Sequence, residues 1–275
     1  MNTRMPIFAL FLLFLGFPQS QMAQNQDAHN LDMILGGLHS LNKDEVEEIK
    51  TAAEKGSPEA QLTYGVLFEN GMGVEKNFTE AANWYRKASY QGLVPAQEKL
   101  GLYHLLGTGV KRDFQAAGFW FRKAAEAGSV NSQAQLGLMY EFGAGVAIDY
   151  KEALDWYGKA ASKGHSMAQT HLGALIEEGK GIAPDVKKAL EWYRKGAEQG
   201  EAASQYNVGR LYLKGEGVEK NLQKAYEWFK KAADQGYPLA VYNVGVCYEH
   251  GHGVEKNPEL AKEWKTRGQL MGVGN

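Results

Sequence analysis

Only one cysteine, Cys247, occurs in the 275 residues, so the chain cannot close an internal disulfide. Charge of one sign is missing as well. The 30 lysines and arginines against 32 aspartates and glutamates leave a net charge of −2, which gives no electrostatic case for binding nucleic acid or an anionic membrane surface. Long apolar runs are scarce: the run from Ile7 to Phe17 falls well short of the roughly 20 residues a membrane-spanning helix needs. A nucleophile elbow of the Gly-x-Ser-x-Gly type is absent, which removes the commonest sequence signal of a hydrolase.

What is present is periodic. The six tryptophans stand at 84, 120, 156, 192, 228 and 264, one fixed step of 36 residues apart. Glycine pairs keep the same step at 71/73, 107/109, 143/145, 179/181, 215/217 and 251/253. A fixed period of this length marks a solenoid of stacked units, each one supersecondary motif. Most of the 33 glycines fall at four positions of the unit, so their number reports close packing and tight turns, not disorder.

Each unit reads as two helices joined by a tight turn. In the third, Ala134, Leu136, Met139 and Tyr140 recur at helical spacing, and Gly143 stops the helix where a left-handed residue is wanted. The hydrophobic residue of the turn, Val146 here and Val74, Val110, Ile182, Val218 or Val254 elsewhere, is expected to tuck into the core. An Asx residue then precedes every second helix, namely Asn77, Asp113, Asp149, Asp185, Asn221 and Asn257, in the position of an N-cap. Glu80 and Glu152 are expected to complete capping boxes. Ala153, Trp156, Tyr157 and Ala160 share one face of the second helix, small residues letting helices approach and the indole filling the gap. Lys87, Lys123, Lys159, Lys195 and Lys231 lie late in these helices, where cations suit the dipole, and read as a solvated face. Cys247 takes the apolar place of Leu67, Met139 and Leu211, so its expected role is packing.

These units, with their Gly-x-Gly-Val turn, Asx cap and Ala-x-x-Trp-Tyr helix, resemble the Sel-one-like repeat family, relatives of the tetratricopeptide repeat, over residues 57–272. The resemblance implies an all-α, right-handed superhelical solenoid of antiparallel helix pairs, an α/α superhelix, with a concave binding face. Its six 36-residue repeats would be 57–92, 93–128, 129–164, 165–200, 201–236 and 237–272, followed by a short tail at 273–275. It also implies an adaptor or scaffold and not an enzyme. A cysteine-rich branch of the family is associated with β-lactam binding or hydrolysis; this chain lacks the cysteine pairs of that branch. No cofactor is expected, and no metal: His250 and His252 have no third ligand close in sequence.

The start of the chain differs. Arg4 followed by the Ile7 to Phe17 run reads as a secretory signal peptide over residues 1–23, cleaved near Ala23, which predicts a periplasmic or secreted protein with no membrane span once it is removed. Residues 24–41 read as a linker or short helix, and 42–56 as an N-terminal capping helix with Asn42 and Glu45 in a capping box. The last repeat keeps Trp264 but replaces the following aromatic by Lys265, as a terminal unit facing water requires.

The binding surface is sought where the repeats differ. On the first helices, the residues away from the pair's core are Leu62, Glu98, Ala134, Thr170, Tyr206 and Tyr242, and one turn on Val66, Leu102, Leu138, Ala174, Arg210 and Val246. His171, Tyr206, Asn207, Arg210, Tyr242 and Asn243 are the expected protein-binding groove, since Tyr and Arg anchor interfaces and asparagines can hold a peptide backbone. Glu69, Glu141, Glu177 and Glu249 add an acidic rim, open to a second reading as plain solvation. The partner expected is a protein or peptide. An envelope adaptor, a regulator and an immunity protein against a toxic effector would all use such a face, as would a secreted virulence or host-interaction factor.

Overall fold

The computed structural model describes residues 41–273; the expected signal peptide and almost all of the 24–41 segment lie outside the described residues. The helices run α1 Lys43–Glu54, α2 Pro58–Asn70, α3 Phe78–Tyr90, α4 Val94–Leu106, α5 Phe114–Glu126, α6 Val130–Phe142, α7 Tyr150–Ser162, α8 Ser166–Glu178, α9 Val186–Glu198, α10 Ala202–Lys214, α11 Leu222–Asp234, α12 Pro238–His250 and α13 Pro258–Leu270. No strand occurs among the described residues. From α2 on, even-numbered helices open a repeat and odd-numbered helices close it, giving six 36-residue helix pairs after α1. Two compact units divide between Ile148 and Asp149, the first carrying α1 to α6 and the second α7 to α13. Within each unit, consecutive helices pack on one another.

The turn explains why two glycines are needed. Gly71, Gly107, Gly143, Gly179, Gly215 and Gly251 end the opening helices in the left-handed conformation, with their N–H bonded back four residues, as Gly71 is to Leu67 O at 2.8 Å. The second glycine answers a different demand. At Gly109, φ is +64°, and a Cβ would stand 2.2 Å from Phe78 O at the start of the preceding repeat's closing helix. The same approach recurs between Gly145 and Phe114, Gly181 and Tyr150, and Gly253 and Leu222. The first glycine thus turns the chain, and the second lets one repeat seat on the one before it.

The mid-helix glycine has an equally direct cause. A Cβ on Gly65 would meet the Tyr85 ring at 2.6 Å, and one on Gly101, Gly173 or Gly209 would meet Phe121, Tyr193 or Phe229 at 2.8 Å. These rings are the true centre of each pair: Tyr85, Phe121, Tyr157, Tyr193 and Phe229 are all fully buried, deeper than the neighbouring tryptophans. Trp84, Trp120 and Trp156 are buried near the edge, whereas Trp192, Trp228 and Trp264 are half-buried. The ring beside the tryptophan, not the tryptophan, fills the core.

All six Asx residues cap their helices as expected, Asp113 for example accepting from Gln115 N at 2.9 Å and Ala116 N at 3.0 Å. Asn42 and Glu45 form the reciprocal box, with Glu45 Oε2 accepting from Asn42 N at 2.7 Å. Glu80 and Glu152 do not complete boxes. The Asn77 N–H that Glu80 would bind donates instead to Phe68 O, 2.9 Å away on the opening helix, and the Glu152 carboxylate accepts from Trp156 Nε1 at 3.0 Å. The turn hydrophobics are only half-buried, and Ile182 is exposed, because the turn lies along the rim of the pair. Cys247 is buried, and desolvation pushes its thiol up to about 11, which leaves it a packing residue.

Candidate functional site

Opening helices α8, α10 and α12 lie in the second unit and carry the whole expected binding set: His171 on α8, Tyr206, Asn207 and Arg210 on α10, Tyr242 and Asn243 on α12. All six are half-buried. His171 stacks on Tyr157 of α7, ring centroids 5.2 Å apart and planes 19° off parallel. Tyr206 leans on Phe229 and Tyr237, with centroids 5.7 Å and 5.4 Å away. Asn243 Nδ2 donates to Leu239 O one turn back at 2.9 Å, so its amide oxygen is not used in that bond. Asn207 forms no side-chain hydrogen bond among the described residues.

The two helical rows drawn from the sequence are not open throughout. Leu62, Val66, Ala134, Leu138 and Thr170 are buried. In the second unit α8 packs on α10 as well as on its own partner, and Thr170 Oγ1 of α8 lies 2.6 Å from Ser204 Oγ of α10. Glu98, Leu102, Ala174 and Val246 of the same rows are half-buried, as Tyr206, Arg210 and Tyr242 are.

Arg210 is already engaged. Its Nη2 donates to Glu177 Oε2 at 2.6 Å and Oε1 at 2.7 Å, and the Tyr193 hydroxyl donates to the same Oε2 at 2.9 Å. One carboxylate therefore ties α8, α9 and α10 together. Burial works against the guanidinium charge, and the Glu177 contact outweighs it, holding Arg210 above its ordinary range; burial and Glu177 both push the Tyr193 phenol up. Glu69 has the same post in the first unit, accepting from the Tyr85 hydroxyl and from Lys99 Nζ at 2.9 Å. Glu249 accepts from Lys265 Nζ at 3.1 Å. Glu69 and Glu177 are thus structural ties, whereas Glu249 is exposed and its ion pair lies at the surface.

Among the described residues no group of three His, Cys, Asp or Glu side chains is placed to hold a metal ion, and no helix is long and apolar enough to cross a membrane. What the expected set offers is aromatic edges, amide groups and one cation paired with Glu177.

A family model described as Sel1 repeat, the Sel-one-like repeat, matches six consecutive segments: 58–93, 94–129, 130–165, 166–201, 202–237 and 238–264. The chain belongs to the Sel1 repeat family. Two solved structures are similar at levels that carry weight. A protective antigen of uropathogenic Escherichia coli with an SLR fold is 35% identical with a TM-score of 0.78, covering 85% of this chain and 49% of that one. A Sel1 repeat protein from Oxalobacter formigenes is 33% identical with a TM-score of 0.74, covering 82% of this chain and 90% of that one. The chitin synthase regulator SKT5 of Saccharomyces cerevisiae is 39% identical over 59 residues, 20% of this chain and 8% of the yeast protein. The chain thus spans about half of the E. coli antigen and a small part of the yeast regulator.

The Sel1 repeats also carry a buried polar row that sequence reasoning passes over. Gln61, Gln97, Gln133, Gln169 and Gln205 are buried, and each Nε2 donates to a carbonyl at the end of the preceding closing helix, Ala53, Ser89, Ala125, Ala161 and Ala197, at 3.0 to 3.3 Å. Gln91, Gln199 and Gln235 then donate at 2.8 Å to the carbonyl oxygens of Gln61, Gln169 and Gln205. Each of these helix-end carbonyls also accepts from the glycine N–H three residues on, as Ser89 O does from Gly92 N at 3.1 Å, so the glutamine adds a second donor and ties the opening helix to the helix before it. The signal is a glutamine every 36 residues. The repeated lysines are exposed as expected, but they also cover the indoles: Lys87 Nζ lies 3.4 Å from the Trp84 ring centre, Lys159 3.7 Å from Trp156, Lys195 3.9 Å from Trp192 and Lys231 4.1 Å from Trp228.

Proposed function

We propose that this Sel1 repeat protein is an exported, non-enzymatic scaffold that binds a protein partner on the opening-helix face of its second unit, as an envelope adaptor, regulator or immunity protein. The observation that carries the reading is the change of residue type along equivalent positions. Leu62 and Ala134 are buried there, whereas Tyr206 and Tyr242 project beside Asn207 and Asn243 with hydrogen-bonding capacity to spare. Tyrosine supplies contact area with few rotatable bonds, and a free amide can pair with a partner's backbone. Arg210 belongs to the support of this face, since its charge is spent on Glu177.

The test is affinity capture from the native envelope with the wild-type chain beside an Asn207→Ala, Tyr242→Ala, Asn243→Ala variant, none of which touches the Glu177 tie. One stoichiometric partner held by the wild type and lost by the folded variant supports the reading. Retention of that partner by both moves the binding face elsewhere. Fractionating the cells in the same experiment tests export, and a chain that stays in the cytoplasm with residues 1–23 intact rejects it.

A second reading, a surface or secreted factor met by a host, draws support from the E. coli relative, which is described as a protective antigen. Recovery of the protein from culture medium with no envelope partner would favour it.

A further inference from the structure

Two positions on the closing helices turn aromatic once each, in adjoining repeats. Phe119 stands where the other repeats carry Asn83, Asp155, Glu191, Glu227 and Glu263. Tyr90 stands where they carry Glu126, Ser162, Glu198, Asp234 and Leu270. The fold accepts acids at these sites, so it does not demand the aromatic rings. The rings are exposed all the same: Tyr90 by 74% and Phe119 by 51%.

They are also organised. Tyr90 at the end of α3 and Phe119 in the middle of α5 both stand edge-to-face against Trp120, with centroids 5.3 Å and 5.0 Å away. One patch of three rings therefore spans two neighbouring closing helices within the first unit. Lys123 is the counterpart of the lysines that cover Trp84, Trp156, Trp192 and Trp228, yet its Nζ sits at Phe119, 5.8 Å from the ring centre.

The charge around the rings selects what they can receive. Replacing two acidic or polar positions by aromatics leaves two exposed cations in sequence reach of the rings, Lys87 one turn before Tyr90 on α3, where it lies over Trp84, and Lys123 one turn after Phe119 on α5, with Glu126 one turn beyond Lys123. A cationic ligand would meet these ammonium groups, while a carboxylate beside an apolar side chain would pair with them. Exposed aromatics that no fold requirement explains are the residue type that anchors protein interfaces.

We propose that the Tyr90, Trp120 and Phe119 surface is a second docking site, separate from the opening-helix face, for an apolar segment of a protein partner flanked by carboxylates. The rings take the apolar side chains, and Lys87 and Lys123 take the carboxylates.

The test is a titration of the full 15N-labelled chain, following the indole N–H resonance of Trp120, with two acetylated pentapeptides. One is Asp-Leu-Phe-Leu-Asp and the other Lys-Leu-Phe-Leu-Lys. The acidic peptide should shift the resonance and bind at least about fivefold tighter than the basic one, the ratio that two exposed ion pairs of ordinary strength provide. A Tyr90→Glu, Phe119→Glu variant, which restores acids of the kind the other repeats carry, should melt like the wild type and lose the response. Equal or tighter binding of the basic peptide overturns the proposal, as does silence of the resonance with both peptides, or a response that survives in the variant. Vesicles of phosphatidylglycerol and phosphatidylcholine form the third arm. If they move the resonance and the acidic peptide does not, the patch serves a lipid surface and the proposal fails.

Discussion

Tyr193 donates to Glu177 across 2.9 Å, and sixteen residues separate the two in sequence. The same offset pairs Glu69 with Tyr85 and Glu249 with Lys265, while Leu105 stands sixteen residues before Phe121 and Leu213 sixteen before Phe229. Acceptor stands with donor, and aliphatic with aromatic. Changing Glu177→Leu alone leaves a buried phenol and the Arg210 charge without their acceptor, which should cost about 3 kcal/mol. Adding Tyr193→Phe recreates the pair used in the second and fifth repeats and should restore about 1 kcal/mol of that loss. Urea unfolding of the two singles and the double closes the cycle; simple additivity would show that the pair is not coupled.

Among the described residues Gln97 and Gln133 are the members of the glutamine row whose side-chain oxygens have no partner, and for Gln97 the cause is a short neighbour. Gln91 and Gln199 sit 30 residues after Gln61 and Gln169 and donate to them; the matching residue for Gln97 is Ala127, and Gln97 Oε1 has no partner. Ala127 is exposed at the end of α5, so a longer side chain has room to lie along the surface. Ala127→Gln should stabilise the chain by about 1 kcal/mol, the usual net value of such a bond. The gain should vanish in a Gln97→Leu background, where the acceptor is gone.

How much of this is legible in the sequence depends on whether a role repeats or has to be matched across helices. Tryptophan spacing, glycine pairs and Asx caps repeat in every unit, so architecture and helix starts can be read from one line of text. Glu177 cannot be assigned that way, because its partners Tyr193 and Arg210 arrive from two other helices, and an isolated Glu on a helix end looks solvated. Arg210 misleads for the same reason: a cation on an open-looking row suggests a ligand contact until its acceptor on α8 is seen. The capping boxes at Glu80 and Glu152 fail because other groups compete for their parts: Phe68 O takes the Asn77 amide, and the Trp156 indole takes the Glu152 carboxylate. Local rules hold wherever no second group offers a better partner.

Two glycines with similar backbone angles should differ sharply on substitution. Gly92 has φ +88° and nothing within 4 Å of the place a Cβ would take, so Gly92→Ala carries only the conformational penalty of about 1 kcal/mol. Gly109 has φ +64° and would place that carbon 2.2 Å from Phe78 O, which is backbone and cannot swing away. Gly109→Ala should therefore cost at least ~3 kcal/mol, because the contact between repeats must open. Melting of both variants checks the order, and equal losses would mean that the second turn glycine serves conformation alone.

Acid should loosen α8 through the residue that caps it. His165 is the N-cap of that helix, its Nδ1 accepting from Ala168 N at 3.2 Å. Burial, and next the neighbouring His171, pull the imidazole down to about 4 from an ordinary value of 6.5. The unfolded chain therefore binds this proton more readily than the folded one. Its contribution to stability is complete above pH 6.5 and is lost as pH falls toward 4, amounting to of the order of 2 kcal/mol once residual solvent contact is allowed for. Asparagine keeps an acceptor at the cap without a titrating ring. His165→Asn should consequently match the wild type near pH 7.5, be more stable than it near pH 5, and show a shallower decline between those values. Parallel curves for the two proteins across that window would show that His165 does not titrate with unfolding.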